Sequence, residues 1–368
     1  MTRTEEPLQP VVPGITAELA PPPGRKGWVR RSQEAIDERL GIDALRYPVP
    51  EHANKISYSL GGLTGFSLLI LIVTGIILAQ YYNPDPASAN ESVRHIVNDV
   101  YLGRFVRGLH FWAAEAMYVL AILHLLRVYF TASYKRPREA NWLIGVGMFA
   151  LTIGAMFTGT VLKWDQEGYE ALSHNLELSR LLGGLGFWFR SDFSSHVPLL
   201  VRLYIAHVSM IPMLILGLLV LHTLLIKRHK ISPSPSNPDA TGEAMAPFTH
   251  HLRRVLTLGL ILLGGLSVLA VVLPPGVGAT PVEGIEVTKP PWMYWWMFTL
   301  ENWIGLSGIL WGAGVLFALL IAVPFIDRTP HRTWRQRPVA LTLAALVIAF
   351  LIVLTILEAV TSPAQHLM

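Results

Sequence analysis

Seven stretches of this 368-residue chain are predominantly apolar over about 20 residues or more, the length an α-helix needs to cross ~30 Å of hydrocarbon. They run near 57–82, 108–130, 142–162, 198–226, 254–274, 303–325 and 338–358. In a bilayer the main-chain N–H and C=O groups must be satisfied within the segment, so continuous apolar runs of this length read as helices. Only 15% of the residues are charged against 52% hydrophobic, and many of the 30 glycines lie inside apolar runs, where they let helices approach closely. The fold class that follows is an all-α membrane protein with seven transmembrane helices.

Loop charge orients the spans. Arg127, Lys135, Arg136 and Arg138 follow the second, Lys227, Arg228, Lys230, Arg253 and Arg254 lie between the fourth and fifth, and Arg328, Arg332, Arg335 and Arg337 between the sixth and seventh. The N-terminal segment adds Arg25, Lys26, Arg30, Arg31 and Arg39 to the same side. By the positive-inside rule the N-terminus is cytoplasmic and the C-terminus lies on the opposite side of a bacterial-type inner membrane. Residues 1–56 read as a Pro-rich tail followed over 28–45 by an interfacial amphipathic helix, with an ordinary solvated helix as the alternative, and 57–230 as a four-helix domain. The polar, Pro-rich stretch in 231–253 reads as a linker, and 254–368 as a three-helix C-terminal domain. The connection 163–198 is too long for a turn and is expected to lie along the outer interface as one or two short helices. Basic residues gather at membrane edges and form no single patch, which gives no reason to expect nucleic acid as a partner despite the net charge of +4.

Four of the thirteen histidines lie well inside the spans: His110 and His124 in the second, fourteen residues apart, and His207 and His222 in the fourth, fifteen apart. At about 100° and 1.5 Å per residue, each pair occupies nearly one helix face with its members roughly 21 Å apart along the axis. The two spans run in the same direction, so His110 pairs with His207 near the outer side and His124 with His222 near the inner. An intramembrane histidine needs a partner, and hydrogen bonding to neighbouring helices is one way to provide it. Bis-imidazole ligation of haem iron at two depths accounts for all four at once, whereas a two-histidine zinc site would be incomplete. Cysteine is absent, which excludes iron–sulfur ligation, disulfides and covalent haem attachment. Arg107 and Arg127 stand three residues outside His110 and His124, where they suit haem propionates or simply snorkel to the interface. Gly61, Gly65, Gly75, Gly145 and Gly159 mark close approach of a flat macrocycle or of another helix. A transporter with His and Arg along a substrate path is the competing class.

The chain carries YSLGG (58–62), TG (74–75), R-x-x-H with a second His fourteen later (107–124), HLLRVY (124–129), KRPRE (135–139), TGTVLKWDQ (158–166), the His207/His222 pair, VPFID (323–327) and RPVA (337–340). In these pieces it resembles cytochrome b of the bc1/b6f class over roughly residues 28–358. The fifteen-residue spacing is nearer the b6f type, with the short cytochrome b and its three-helix partner subunit fused through the linker. The resemblance implies a four-helix dihaem bundle with two non-covalent b-type haems, in a proton-translocating quinol oxidoreductase. It implies a quinone or quinol substrate, membrane lipid around the spans, a Rieske iron–sulfur protein and a c-type cytochrome as separate chains, and a homodimer.

The departures from the family bear on its outer quinol site. Ser59 stands where the b6f type has the cysteine that tethers an extra haem, so no covalently attached haem is expected. The family's Pro-Glu-Trp-Tyr reads Pro290, Pro291, Trp292, Met293 here, which removes the carboxylate thought to accept a quinol proton. Thr160 replaces a usual Tyr and Lys163 a usual Pro. Candidate replacement acceptors are Asp165, Glu167, Glu301 and Tyr294. Glu115 reads as a packing polar group without an assigned role. The altered motif also fits a dihaem membrane anchor that exchanges electrons between the quinone pool and another periplasmic enzyme without a bifurcating Rieske partner.

Overall fold

The computed structural model describes residues 28–41, 47–234 and 244–363. The N-terminal tail over 1–24 and the central part of the linker, 235–243, lie outside the described residues. Helix α1 (Trp28–Leu40) belongs to a first unit, and Pro48 onward forms a second. In α1 the apolar residues Trp28, Val29 and Ile36 are exposed.

Seven helices of the second unit have the length and composition to cross a membrane. They are α2 (Leu60–Ala79), α4 (Gly103–Phe130), α5 (Glu139–Leu162), the run from α7 (Leu199–Ile205) to α8 (Ile211–His229), α9 (Phe248–Val272), α11 (Ser307–Ile326) and α12 (Pro338–Val360). Between them lie α3 (Ala89–Asn98), α6 (Gln166–Leu181) and α10 (Trp295–Ile304). The helix in 163–198 is thus found as α6, and the aromatic run after Pro291 winds into α10. Helix α4 packs along α2 and α9, α5 along α8, and α10 between α11 and α12.

Small residues set the closest contacts. A Cβ on Gly108 would lie 3.0 Å from the Ala270 carbonyl, and one on Gly259 would lie 2.7 Å from the Phe66 ring, so α9 docks against α4 and α2 at glycine positions. Ile70, Leu109, Ala113, Leu266 and Ala270 fill that three-helix seam. At the bundle centre Leu68, Met117 and Ile215 are buried against Leu71, Ile72, Leu151, Ile211 and Leu219. Outward residues such as Leu69, Val73 and Ile76 are exposed and apolar, as a lipid-facing surface requires.

The two halves of the chain are tied at both ends of the bundle. At the basic end β1 (Pro48–Pro50) pairs antiparallel with β2 (Met245–Pro247), immediately before α9. Asp327, just past α11, accepts Lys135 Nζ at 2.7 Å, the Tyr134 hydroxyl at 2.5 Å and Arg337 Nε at 3.1 Å. Lys135 also donates to the Thr329 and His331 carbonyls, so this buried ammonium has its donors filled. Burial would raise the Asp327 carboxyl, but hydrogen bonds from Lys135, Tyr134 and Thr329 outweigh it and hold the pKa at about 2.

At the opposite end one face of α6 grips the loop 278–289. Gln166, Glu170 and His174 recur every four residues and so share a stripe. The Gln166 side chain accepts from Val282 N at 2.7 Å, and Glu170 accepts from Val287 N and Thr288 N at 2.9 and 3.0 Å. His174 Nε2 lies 3.2 Å from both Glu286 Oε1 and Glu301 Oε1. Burial alone would lower the His174 pKa; its bonds to Glu286 and Glu301 override that and raise it to about 10.

Candidate functional site

Helix α4 carries His110 and His124 on one face, and the α7–α8 run carries His207 and His222 opposite them. The ring centroids of His110 and His207 are 6.2 Å apart, and those of His124 and His222 are 6.5 Å apart. Two imidazoles sharing one metal, at about 2.0–2.1 Å from each nitrogen and with each centroid roughly 1.1 Å behind it, would place their centroids about 6.3 Å apart. Both pairs therefore stand at the separation that a single iron between them requires.

The unequal sequence spacings reach matching levels through a π turn. Residues Ala206–Met210 are π-helical, with Ile211 N bonded to Ala206 O across five residues. A π turn takes up one extra residue per insertion, so fifteen residues on this helix do the work of fourteen on α4. The sequence reading treated the fifteen-residue step as regular α-helix; the bulge at His207 is what the structure adds.

Hydrogen bonds orient the His110–His207 pair. Thr74 Oγ1 lies 2.8 Å from His110 Nδ1 and donates its own hydrogen to the Ile70 carbonyl at 2.7 Å. The hydroxyl has one hydrogen, so its lone pair accepts the His110 Nδ1–H and Nε2 is left unprotonated. Thr158 repeats the arrangement at 2.9 Å from His207 Nδ1, with the Ala155 carbonyl as a second acceptor at 3.1 Å. Such partners fix the ring and tautomer of a metal-ligating histidine. In the His124–His222 pair His124 Nδ1 has no hydrogen-bond partner among the described residues. The two threonines were not singled out from sequence, although the repeated Thr-Gly dipeptides at 74–75 and 158–159 were the available signal.

Four of the five glycines each face one histidine ring. A Cβ would stand 2.9 Å from His124 Cε1 at Gly61, 3.3 Å from His110 Cε1 at Gly75, 3.1 Å from His207 Cε1 at Gly159 and 3.8 Å from His222 Cε1 at Gly145. Gly65, one turn from Gly61, has open space at its Cβ position. The Arg107 guanidinium donates to the Pro275 and Gly276 carbonyls at 2.6 and 2.9 Å. Arg127 stacks over the Tyr58 ring at 3.5 Å, with Nε and Nη2 uncommitted among the described residues.

The four candidate proton acceptors occupy separate settings. Asp165 is 2% exposed and caps α6, accepting from Gly168 N at 3.0 Å with one oxygen and from Gly278 N at 2.9 Å with the other. Glu167 pairs with Lys163. Glu301 is fully buried beside His174, and the Tyr294 hydroxyl donates to the Ile153 carbonyl at 2.9 Å. His174, the cation that joins Glu286 to Glu301, lies outside the transmembrane runs that sequence reading searched for histidines.

Near Tyr294 stands a carboxyl to which sequence reasoning gave no role. Glu115 Oε2 accepts the Trp292 indole N–H at 2.7 Å. The Tyr118 ring lies edge-on to Trp292 at 5.6 Å and stacks on Phe149 at 5.8 Å. The site therefore has a carboxylate and a flat aromatic wall about one and a half turns from His110.

Comparisons with known proteins identify the family. The profile of the family described as Cytochrome b/b6/petB matches residues 44–230. Cytochrome b6 of Heliobacterium mobile is 40% identical over 54% of this chain and 97% of its own length. The menaquinol:cytochrome c reductase cytochrome b subunit of Geobacillus thermodenitrificans is 37% identical over 54% of this chain and 95% of its own. A solved chain described as hyperthermophilic respiratory Complex III superposes with a TM-score of 0.76 at 21% identity, covering 89% of this chain and 91% of that one. The likeness in fold thus extends well beyond the part matched by the family profile. With more than half of its length matched by that profile and nearly the whole of a 40%-identical relative covered, the chain belongs to the cytochrome b/b6 family.

Proposed function

We propose that this chain is the dihaem cytochrome b subunit of a bc-type quinol oxidoreductase, passing electrons across the membrane between quinol and quinone sites and coupled to proton translocation. The observation that carries the reading is the pair of histidine pairs, with ring centroids 6.2 and 6.5 Å apart at two depths of one bundle. Family membership supports b-type haem, and the donor set supports two non-covalent sites: His110 with His207, and His124 with His222. Bound haem supplies a one-electron iron couple at each level.

The protein's own residues prepare those levels. Thr74 and Thr158 orient the outer imidazoles, and the glycines at 61, 75, 145 and 159 leave room beside the rings. Arg127 retains two uncommitted donors for a propionate, and Arg107 holds its guanidinium against the loop carbonyls near the other level. Leu68, Met117 and Ile215 keep the space between the levels dry. In this reading the N-terminus is cytoplasmic and His110 and His207 lie toward the outer side, which the charge of the basic connections supports. A Rieske iron–sulfur protein, a c-type cytochrome and a second copy of this chain complete the proposed complex.

Purified complex tests this directly. The expected result is two dithionite-reducible b-type haems per chain, with His124→Ala removing one and sparing the other. A chain that binds no reducible haem overturns the reading. The second reading, a dihaem anchor without a bifurcating outer site, is favoured by one observation, Pro291 in place of the motif glutamate. Quinol-driven haem reduction stimulated by an added oxidant, together with a co-purifying Rieske protein, rejects it.

A further inference from the structure

A carboxyl inside a membrane helix is costly and calls for an explanation in its partners. Glu115 lies in the middle of α4, and its hydrogen bond among the described residues comes from the Trp292 indole N–H at 2.7 Å. A glutamine would accept the same N–H without the cost of an ionisable group, so this hydrogen bond does not by itself account for a glutamate. Position gives a further clue. Glu115 follows His110 by five residues, which turns it about 140° around α4 and moves it roughly 7.5 Å along the axis. It therefore looks away from the histidine-bearing face and toward the turn that precedes α10, yet stays close to the outer histidine pair.

The surroundings suit a flat, apolar molecule with a hydroxyl at its edge. Tyr118, Phe149 and Trp292 provide aromatic faces, Met293 and Met297 are buried beside them, and Trp292 itself is 41% exposed. The four acceptors named from sequence are engaged otherwise: both Asp165 oxygens take main-chain N–H groups, Glu167 holds Lys163, Glu301 holds His174, and the Tyr294 hydroxyl donates to Ile153.

We propose that Glu115 is the catalytic proton acceptor of the outer quinol site, so that α4 supplies the carboxylate which the Pro290–Met293 turn lacks. The inference rests on the function proposed above. In the step, the quinol O–H bond breaks, its electron pair stays on the quinol oxygen, and the proton joins the Glu115 carboxylate. The quinolate gives one electron to a one-electron acceptor of the complex, and the Glu115 carboxylic acid returns its proton to water. The remaining quinol O–H proton passes to the freed carboxylate as the second electron leaves to a one-electron acceptor, giving quinone. Tyr118 from α4 and Tyr294 from the turn before α10 are the titratable groups with which Glu115 interacts.

The test uses the intact complex with menadiol as reductant, followed by stopped-flow haem absorbance across pH 5.5 to 9. Glu115→Gln is expected to keep its full dithionite-reducible haem, to be reduced by menadiol at least about tenfold more slowly, and to lose the pH dependence of that rate. Glu115→Asp should restore the pH dependence at an intermediate rate. A Glu115→Gln rate within twofold of wild type and with the same pH profile overturns the proposal. If Glu115→Gln fails to retain haem, Trp292→Phe carries the test, because it removes the indole N–H and keeps the ring. A moved inflection in its pH profile supports the assignment, and an unmoved one overturns it. Failure of the wild-type complex to be reduced by menadiol would instead count against the proposed function itself.

Discussion

Replacing Thr74 by valine isolates one hydrogen bond at the outer histidine pair. Valine keeps the branched shape and removes the oxygen that lies 2.8 Å from His110 Nδ1. A neutral hydrogen bond contributes about 0.5–1.5 kcal/mol net, and this one strengthens when the ring carries more positive charge, as it does on oxidised iron. His110 keeps a main-chain acceptor at Leu71, so roughly half of the bond's worth should appear in the couple. For a one-electron couple a tenfold change in equilibrium is 59 mV, so the outer midpoint should rise by about 10–35 mV. Redox potentiometry that resolves the two haems reads the shift, with Thr74→Ser as the control that retains the hydroxyl. The inner midpoint should stay fixed, since no Nδ1 bond to His124 is being altered. A downward shift, a shift confined to the inner haem, or an equal shift in Thr74→Ser would refute the reasoning.

Gly61→Ala would bring a methyl within 2.9 Å of His124 Cε1, and overpacking of about 1–3 kcal/mol should exceed the ~1 kcal/mol helix gain; haem per chain should fall at the inner level alone. Asp327→Asn leaves Lys135 and Arg337 without their shared charge, and thermal unfolding of the complex should show a loss of about 3–5 kcal/mol; an unchanged midpoint would remove Asp327 from the tie between the halves. His174, raised to about 10 by Glu286 and Glu301, contributes stability that is complete below about pH 6.5 and lost as pH rises through 10. Thermal denaturation midpoints should therefore fall over that window in wild type and fall less in His174→Gln.

Hydropathy located the seven membrane helices because a bilayer leaves an apolar run of that length few options. The histidine pairing was legible for a related reason: rotation per residue and loop charge together fix which rings can meet. The π turn at His207 was not legible, since nothing in AHVSM distinguishes it from regular helix; it arises from matching the two levels on the partner helix. Thr74 and Thr158 were hidden because threonine inside a helix commonly bonds its own i−4 carbonyl, as both do here in addition to facing a histidine. Asp165 was noticed as a carboxylate, but the bond that its second oxygen accepts from Gly278 N depends on a loop that returns more than a hundred residues later. Glu115 was passed over for the same reason, since Trp292 meets it only once the turn before α10 has folded against α4.

The polar ties at the two ends of the bundle also bear on how this chain is made. The β1–β2 pair and the Asp327 cluster hold one end, the α6 stripe holds the other, and α9 docks along α2 and α4 between them. Contacts of that extent do not depend on the peptide that joins the first four membrane helices to the last three. The joining peptide acts as a tether that raises the local concentration of one part for the other. A version cut between residues 235 and 243 and co-expressed as two polypeptides should therefore reassemble, and binding of the same haem complement by the two-piece protein is the measurement that checks it.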